Sequence, residues 1–261
     1  MYPVYIPSRY RSSTATTPIL LDSIPHNILI NPSEKSDYAK TYTKSSLIAS
    51  NKQVSISSAR HAIVDICKRD HPKSWIWMFD DDVVKVGTVK NKKFTEINIK
   101  TWMSSIQNII ETIKPEHYNV CQIGFQFTSF NVSNKPIELN TNINCIQLIY
   151  MPLIIKHKIQ YNEELKALED TDFCINILNK KLYNMKLNGF YFYTGPSGLK
   201  NKNGGLAALY NSSGKEKAIQ EFKKLYPDII SVDTKISTNY RIKWNKFKNN
   251  ELAEKISKLV P

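Results

Sequence analysis

The chain of 261 residues has no Cys-x-x-Cys pair. Its four cysteines, Cys67, Cys121, Cys145 and Cys174, lie far apart among apolar neighbours. That spacing argues against a zinc site and fits buried free thiols in a reducing compartment. A chain of this length buries most of its surface on folding and needs no disulfide staples. The first residues, Met1-Tyr-Pro-Val-Tyr-Ile6, lack a basic segment followed by an apolar one, so no signal peptide is expected. No apolar run approaches the roughly 18–20 residues of a membrane span. These absences lead us to expect a cytoplasmic protein with no membrane partner. Internal repeats and clear linkers are also missing, and one domain over residues 1–261 is expected.

What is present is an ordinary globular composition, 41% hydrophobic and 23% charged, with a formal net charge of +13. Such a charge favours polyanionic partners. A Lys-, Asn- and Ile-rich chain is also what an AT-rich genome encodes, so the charge alone does not choose between these origins.

Local patterns alternate between strand and helix. Val4-Tyr5-Ile6 reads as a first strand opening into a loop at Pro7-Ser8, and Asn27 to Ile30 as a second. Thr17 to Ile24 suits a helix. Ala59, Ala62, Ile63, Ile66 and Cys67 recur at helical spacing after an N-cap at Ser57-Ser58. Trp75-Ile-Trp-Met-Phe79 is a continuous apolar run, the pattern of a strand buried on both faces. Met103, Ile106, Ile110 and Ile113 mark a further amphipathic helix. Strands are expected at Val120 to Phe125, Cys145 to Tyr150 and Phe190 to Tyr193. Helices are expected from near Asp170 and over Lys215 to Leu225, and a helix or solvated end after Ile242. The alternation in the first half predicts an α/β fold with a mostly parallel central sheet flanked by helices.

Asp80, Asp81 and Asp82 directly follow the most apolar strand. Ligands of open α/β sheets bind beyond the carboxyl ends of strands. Three adjacent carboxylates repel one another, and a cation is the simplest way to neutralise them. Asp80 and Asp82 are expected to converge while Asp81 faces elsewhere. Carboxylates that leave room for water suit Mg²⁺ or Mn²⁺, which would grip a diphosphate. The bland alternative is a solvated acidic turn. Arg9 and Arg11 follow the first strand, where they would hold phosphate, face a uracil, or lie on the surface. Arg60 opens a helix whose N-terminus favours anions; His61 beside it suits packing better than ligation.

Leu168-Glu169-Asp170-Thr171-Asp172 precedes an apolar helical run. Acids there serve as caps and complement the helix dipole, or one of them acts as a general base. Trp75, Trp77 and Trp102 fall in core patterns. Trp244, among Arg241, Lys243 and Lys246, is the better candidate for touching a polyanion.

Taken in order, Pro3-Val-Tyr-Ile-Pro-Ser-Arg-Tyr-Arg11, Thr17-Pro18, Ser58-Ala-Arg60, Trp77-Met-Phe-Asp-Asp-Asp82, Glu169-Asp170-Thr-Asp172-Phe173, Gly204-Gly205 and Arg241-Ile-Lys-Trp-Asn-Lys-Phe247 resemble the TET-associated glycosyltransferases. These are GT-A-fold enzymes found mainly in phages and linked to DNA modification. The resemblance implies a nucleotide-sugar-binding half over 1–115 and an acceptor half over 116–261. It implies a donor site of Pro7, Ser8, Arg9, Arg11, Arg60, Asp80 and Asp81, with Asp80 and Asp82 on Mn²⁺ or Mg²⁺. Asp170 would be the base of an inverting reaction, with Asp172 in reserve and Glu169 orienting a hydroxyl. Gly204, Gly205, Tyr210 and Trp244 would face the acceptor. The donor would be a UDP-sugar, the acceptor a hydroxymethylated pyrimidine in DNA, and the setting a host's cytoplasm for a viral protein. Two departures stand out: His61 occupies a position where an Asn is expected, and no histidine follows His157 to join the metal. Protein, lipid or polysaccharide acceptors, and a non-catalytic nucleotide- or DNA-binding module, are the competing readings. A metal nuclease or nucleotidyltransferase is disfavoured because no Gly-Ser pair precedes the aspartates.

Overall fold

The computed structural model describes residues 1–51, 55–90, 93–127, 133, 135–195, 214–233, 236 and 238–260. The chain begins with β1 (Val4–Pro7), α1 (Thr17–Leu20), β2 (Asn27–Ile30), α2 (Lys35–Thr41), β3 (Ser46–Ala49) and α3 (Ile56–Asp70). There follow β4 (Trp75–Phe79), β5 (Val83–Lys90), β6 (Lys93–Glu96), α4 (Ile99–Ile113), β7 (Val120–Phe127) and β8 (Ile137–Leu139). Then come β9 (Ile146–Tyr150), α5 (Met151–Lys156), α6 (Glu169–Asn179), β10 (Tyr183–Thr194), α7 (Gly214–Leu225), β11 (Ile230–Val232), β12 (Tyr240–Ile242) and α8 (Asn250–Ser257).

One large sheet has the order β3-β2-β1-β4-β9-β7-β10-β5-β6, with β8 added on β10. The first four strands pair in parallel, as the alternation predicts. From β9 onward the sheet is mixed: β9 runs antiparallel to both β4 and β7, and β7 is parallel to β10. Strand β4 sits at the junction of the two regimes, and all five of its residues are buried.

Alternation along β4 divides the core. Trp75, Trp77 and Phe79 face α4, where Trp102, Met103, Ile106, Ile110 and Ile113 form the apolar stripe. Trp77 stacks on Phe125 with ring centroids 5.7 Å apart, and Trp102 lies 4.7 Å from the same ring. Ile76 and Met78 face the opposite layer, built by Ala59, Ile63 and Val64 of α3 with Phe173 and Ile177 of α6. Helices α3 and α6 therefore cover one face together. A third cluster joins Leu165 and Ile175 to Ile219, Phe222 and Ile230, with Tyr240, Ile242 and Trp244 packed against it.

Some boundaries differ from the sequence reading. Helix α1 stops at Leu20 and does not reach Ile24. Helix α3 starts at Ile56, earlier than an N-cap at Ser57-Ser58 suggests. Its N-cap is Ser55, and Ser58 completes a reciprocal capping box with it. Strand β10 begins seven residues before Phe190, because β7 and β8 pair with its polar first half. Among the described residues no helix is long and apolar enough to cross a membrane.

Candidate active site

The site is built at the carboxyl end of β4, where the chain leaves the sheet as Asp80-Asp81-Asp82. The turn is held from two sides. Cys145 accepts a hydrogen bond from the Asp80 N–H at 2.7 Å. Thr17 Oγ1 donates to the Asp80 carbonyl at 2.5 Å and accepts from the Val83 N–H at 2.9 Å. The Asp81 carbonyl in turn accepts from the N–H groups of Thr16 and Thr17. The start of α1 is thus stapled to the aspartate turn, a role that the Thr17-Pro18 pair did not reveal in the sequence.

Asp81 points inward. Ser8 Oγ donates to its Oδ2 at 2.5 Å, and Arg11 Nη1 to its Oδ1 at 2.6 Å. Burial pushes the Asp81 carboxyl up to about 7, with Arg11 and Ser8 opposing the rise. Tyr38 fixes this corner from α2, with its hydroxyl 2.7 Å from Ser8 Oγ and accepting from the Arg11 N–H at 3.1 Å. Asp81 therefore braces Arg11 and Ser8 from below. Pro7 ends β1 opposite Leu29, and Ser8 continues the pairing by donating its N–H to the Leu29 carbonyl. Arg9 is half-buried, with its guanidinium 4.8 Å from the Tyr10 ring.

Asp80 and Asp82 stay accessible, their side chains 24% and 35% exposed. Arg11 reaches Asp82 at 3.3 Å. The Asp82 carboxyl is raised first by burial and next by the charge of Asp80. A cation between the two would relieve that repulsion. Among the described residues no cluster of three His, Cys, Asp or Glu side chains could hold a metal. Asp80 and Asp82 would offer one or two carboxylates to an ion such as Mg²⁺, which completes its shell with phosphate and water.

Arg60 is the centre of the arrangement. It projects from the first turns of α3, is 2% exposed, and faces three carboxylates. Its Nη2 lies 2.5 Å from Asp80 Oδ1, its Nη1 lies 3.1 Å from Glu169 Oε1, and Nη1 also contacts Asp170 Oδ1. Burial alone would lower the guanidinium's pKa; Asp80 and then Glu169 reverse this and leave it raised. The sequence placed Arg60 at a helix N-terminus; its burial as the bridge between residues 80 and 169–170 is what only the fold shows.

Glu169 and Asp170 occupy the first turn of α6. The N-cap is Leu168, which is left-handed (φ 64°) and makes no side-chain cap bond. Neither acid is the cap, and both lie where the helix dipole favours negative charge. Asp170 Oδ1 accepts from Gln147 Nε2 at 2.7 Å, and its side chain is 16% exposed. Asp172 faces the other way. Its Oδ1 accepts from the Tyr226 hydroxyl at 2.5 Å and its Oδ2 from Asn176 at 2.9 Å. It ties α6 to Tyr226, just past the end of α7, and is 1% exposed. His61 hydrogen-bonds the Tyr161 carbonyl at 2.8 Å, a packing role.

Trp244 packs against the third cluster, with Arg241, Lys243 and Lys246 exposed around it. Gly204, Gly205 and Tyr210 lie outside the described residues. Gln147, Gln122 and Tyr161 were not singled out in the sequence; the available signal was an amide inside strands that otherwise read as apolar.

The site is thus an α/β sheet with an acidic turn at the end of its fully buried strand β4, faced by the first turns of two helices. Residues 2–204 match the family model described as TET-Associated Glycosyltransferase, and the chain belongs to that family. A comparison with curated protein sequences finds no match. Among solved structures, S. aureus TarS 1-349 is similar at 13% identity and a TM-score of 0.47, covering 85% of this chain and 65% of that one. The same TarS fragment in complex with UDP-GlcNAc is 14% identical with a TM-score of 0.49, covering 76% and 60%. A197 from STIV is 10% identical with a TM-score of 0.40, covering 76% and 87%. The chain thus spans less than two thirds of the TarS structures' length.

Proposed function

We propose that the chain transfers a sugar from a nucleotide diphosphate donor to a hydroxymethylated pyrimidine in DNA, with inversion at the anomeric carbon. The observation that carries this reading is the convergence on Arg60 of the aspartate turn and the Glu169-Asp170 helix start. The carboxyl end of β4 then offers a place for a diphosphate beside a carboxylate able to take a proton.

Arg11 and Arg60 set positive charge beside the aspartates, and Ser8 and Arg9 line the loop after β1, where a nucleotide would lie. Asp80 and Asp82 would hold Mn²⁺ or Mg²⁺, which when bound supplies charge neutralisation to the departing diphosphate. Among the described residues none hydrogen-bonds Asp170 Oδ2. That oxygen takes the proton of the acceptor hydroxyl. The hydroxyl oxygen bonds to the anomeric carbon, and the bond to the diphosphate breaks with its electron pair leaving on phosphate. Attack opposite the leaving group turns an α-linked donor into a β-linked product. Glu169 is placed to orient a sugar or acceptor hydroxyl.

The DNA acceptor is supported by the family and by the net charge of +13. Exposed Arg241, Lys243, Lys246 and Lys248 add a basic stripe with no acid between them. A hydroxymethyl group on a paired pyrimidine can be reached in the major groove, on a flipped-out base or on a single strand. The test is mass spectrometry of hydroxymethylated and unmodified DNA after incubation with a panel of UDP-, dTDP- and GDP-sugars plus Mn²⁺. A sugar-sized mass gain on hydroxymethylated DNA alone is expected. No gain with any donor, together with no salt-sensitive DNA binding, rejects the DNA acceptor.

A further inference from the structure

Three side-chain amides cross the middle of the sheet in a line. They are Asn184 on β10, Gln122 on β7 and Gln147 on β9, three adjacent strands. Asn184 and Gln122 are directly paired in register. Relative exposures are 0%, 0% and 1%. Burying amides in a sheet is costly unless every group is satisfied, and apolar side chains would fill the same space more cheaply.

These groups are satisfied in one direction only. Asn184 Nδ2 donates to Gln122 Oε1 at 3.4 Å, Gln122 Nε2 to Gln147 Oε1 at 2.9 Å, and Gln147 Nε2 to Asp170 Oδ1 at 2.7 Å. The Asn184 end is set by a further bond from its Nδ2 to the Thr141 carbonyl and by its Oδ1 accepting from the Thr141 N–H. Tyr161 adds a second donor to Gln147 Oε1 at 2.9 Å, and its ring stacks on Phe173 of α6 at 4.1 Å. An ionised carboxylate only accepts, so the Gln147 amide turns its N–H to Asp170 and its oxygen to Tyr161 and Gln122. Every amide dipole then points its positive end at the carboxylate, and aligned bonds of this kind strengthen one another.

We infer that the Asn184-Gln122-Gln147 ladder is a positioning device for Asp170, which locks Oδ1 and favours the ionised carboxylate with Oδ2 turned to the acceptor. This rests on the reading of Asp170 as the base. The groups facing Asp170 are Arg60 from α3, Glu169 from its own helix, Gln147 from β9, and Asp80 across Arg60. Arg60 supplies charge to the same oxygen, while the ladder supplies direction.

The test uses the full chain and two variants. Gln147→Leu removes the amide. Gln147→Glu keeps the volume and the acceptor for Tyr161 and Gln122, but turns an oxygen toward Asp170. Carbon NMR of protein labelled with ¹³C-aspartate, assigned with Asp170→Asn, follows the Asp170 carboxyl without turnover. We expect it to titrate about one pH unit higher in Gln147→Leu, and higher still in Gln147→Glu. With UDP-glucose and hydroxymethylcytosine DNA, kcat should fall about 10-fold or more while donor KM holds, the pattern of a lost transition-state interaction. A merely structural Gln147 would lower melting temperature and leave the titration unmoved. An unmoved titration in both folded variants overturns the ladder while leaving Asp170 as base. A fully active Asp170→Asn enzyme overturns the base, and the ladder's purpose with it.

Discussion

Replacing Arg60 by Met should cost more stability than any other single change near the aspartates. Met fills much of the arginine stem's volume, so the packing loss is small. What disappears is a buried guanidinium shared by Asp80, Glu169 and Asp170. Removing one partner of a buried ion pair strands the others and costs about 3–5 kcal/mol. Spread over a domain of this size, that lowers the melting temperature by roughly 6–20 °C. The charge origin has its own signature. Carboxylates take up protons near pH 4, so the stranded acids become neutral there and the penalty shrinks. Urea denaturation of wild type and Arg60→Met at pH 7 and pH 4 measures both. Adding Asp80→Asn to Arg60→Met should restore part of the loss at pH 7, because one stranded charge is gone. A deficit below about 1 kcal/mol at pH 7, or one equally large at pH 4, would refute the view of Arg60 as a charge bridge.

Chelation should abolish donor turnover and Mn²⁺ restore it, while Asp82→Asn should stay inactive with metal present; full turnover in excess EDTA counts against a metal at Asp80 and Asp82. Thr17→Val removes two hydrogen bonds that hold the aspartate turn, and should cost about 1–3 kcal/mol in chemical denaturation. An unchanged midpoint would show that the staple contributes nothing. Burial raises the Asp172 carboxyl in the fold, against the pull of Tyr226 and Asn176. For an acid raised on folding, the stabilising contribution is complete below the unfolded pKa, about 3.9, and declines as pH rises through the folded value. Relative to Asp172→Asn, wild type should therefore lose stability as pH is taken from about 4 to 8. The opposite trend would place a cation beside Asp172.

Much of the fold was readable because its strongest elements carry uniform signals. Five consecutive apolar residues make β4 legible, and a regular stripe makes α4 legible. Strand β10 was only half visible, since Asn184, Lys186, Asn188 and Gly189 break its pattern and pairing with β7 and β8 supplies the missing drive. Asp80, Arg60 and Asp170 each stood out locally, but nothing local joins residue 60 to residue 170; the shared face of α3 and α6 does that. Asp172 looked like a second base, and its turn away depends on Tyr226, 54 residues later in the chain. The amides of the ladder were hidden by the apolar strands around them.

We propose that Asp170, facing Arg60 and Gln147, and not Asp172, which is turned to Tyr226, takes the acceptor's proton. The most direct measurement is single-turnover sugar transfer to hydroxymethylated DNA by wild type, Asp170→Asn and Asp172→Asn. Asp170→Asn should slow the chemical step by roughly 10²–10⁴-fold with donor affinity intact, and Asp172→Asn should transfer at near the wild-type rate. A fully active Asp170→Asn enzyme, or the larger loss falling on Asp172→Asn, would contradict the account.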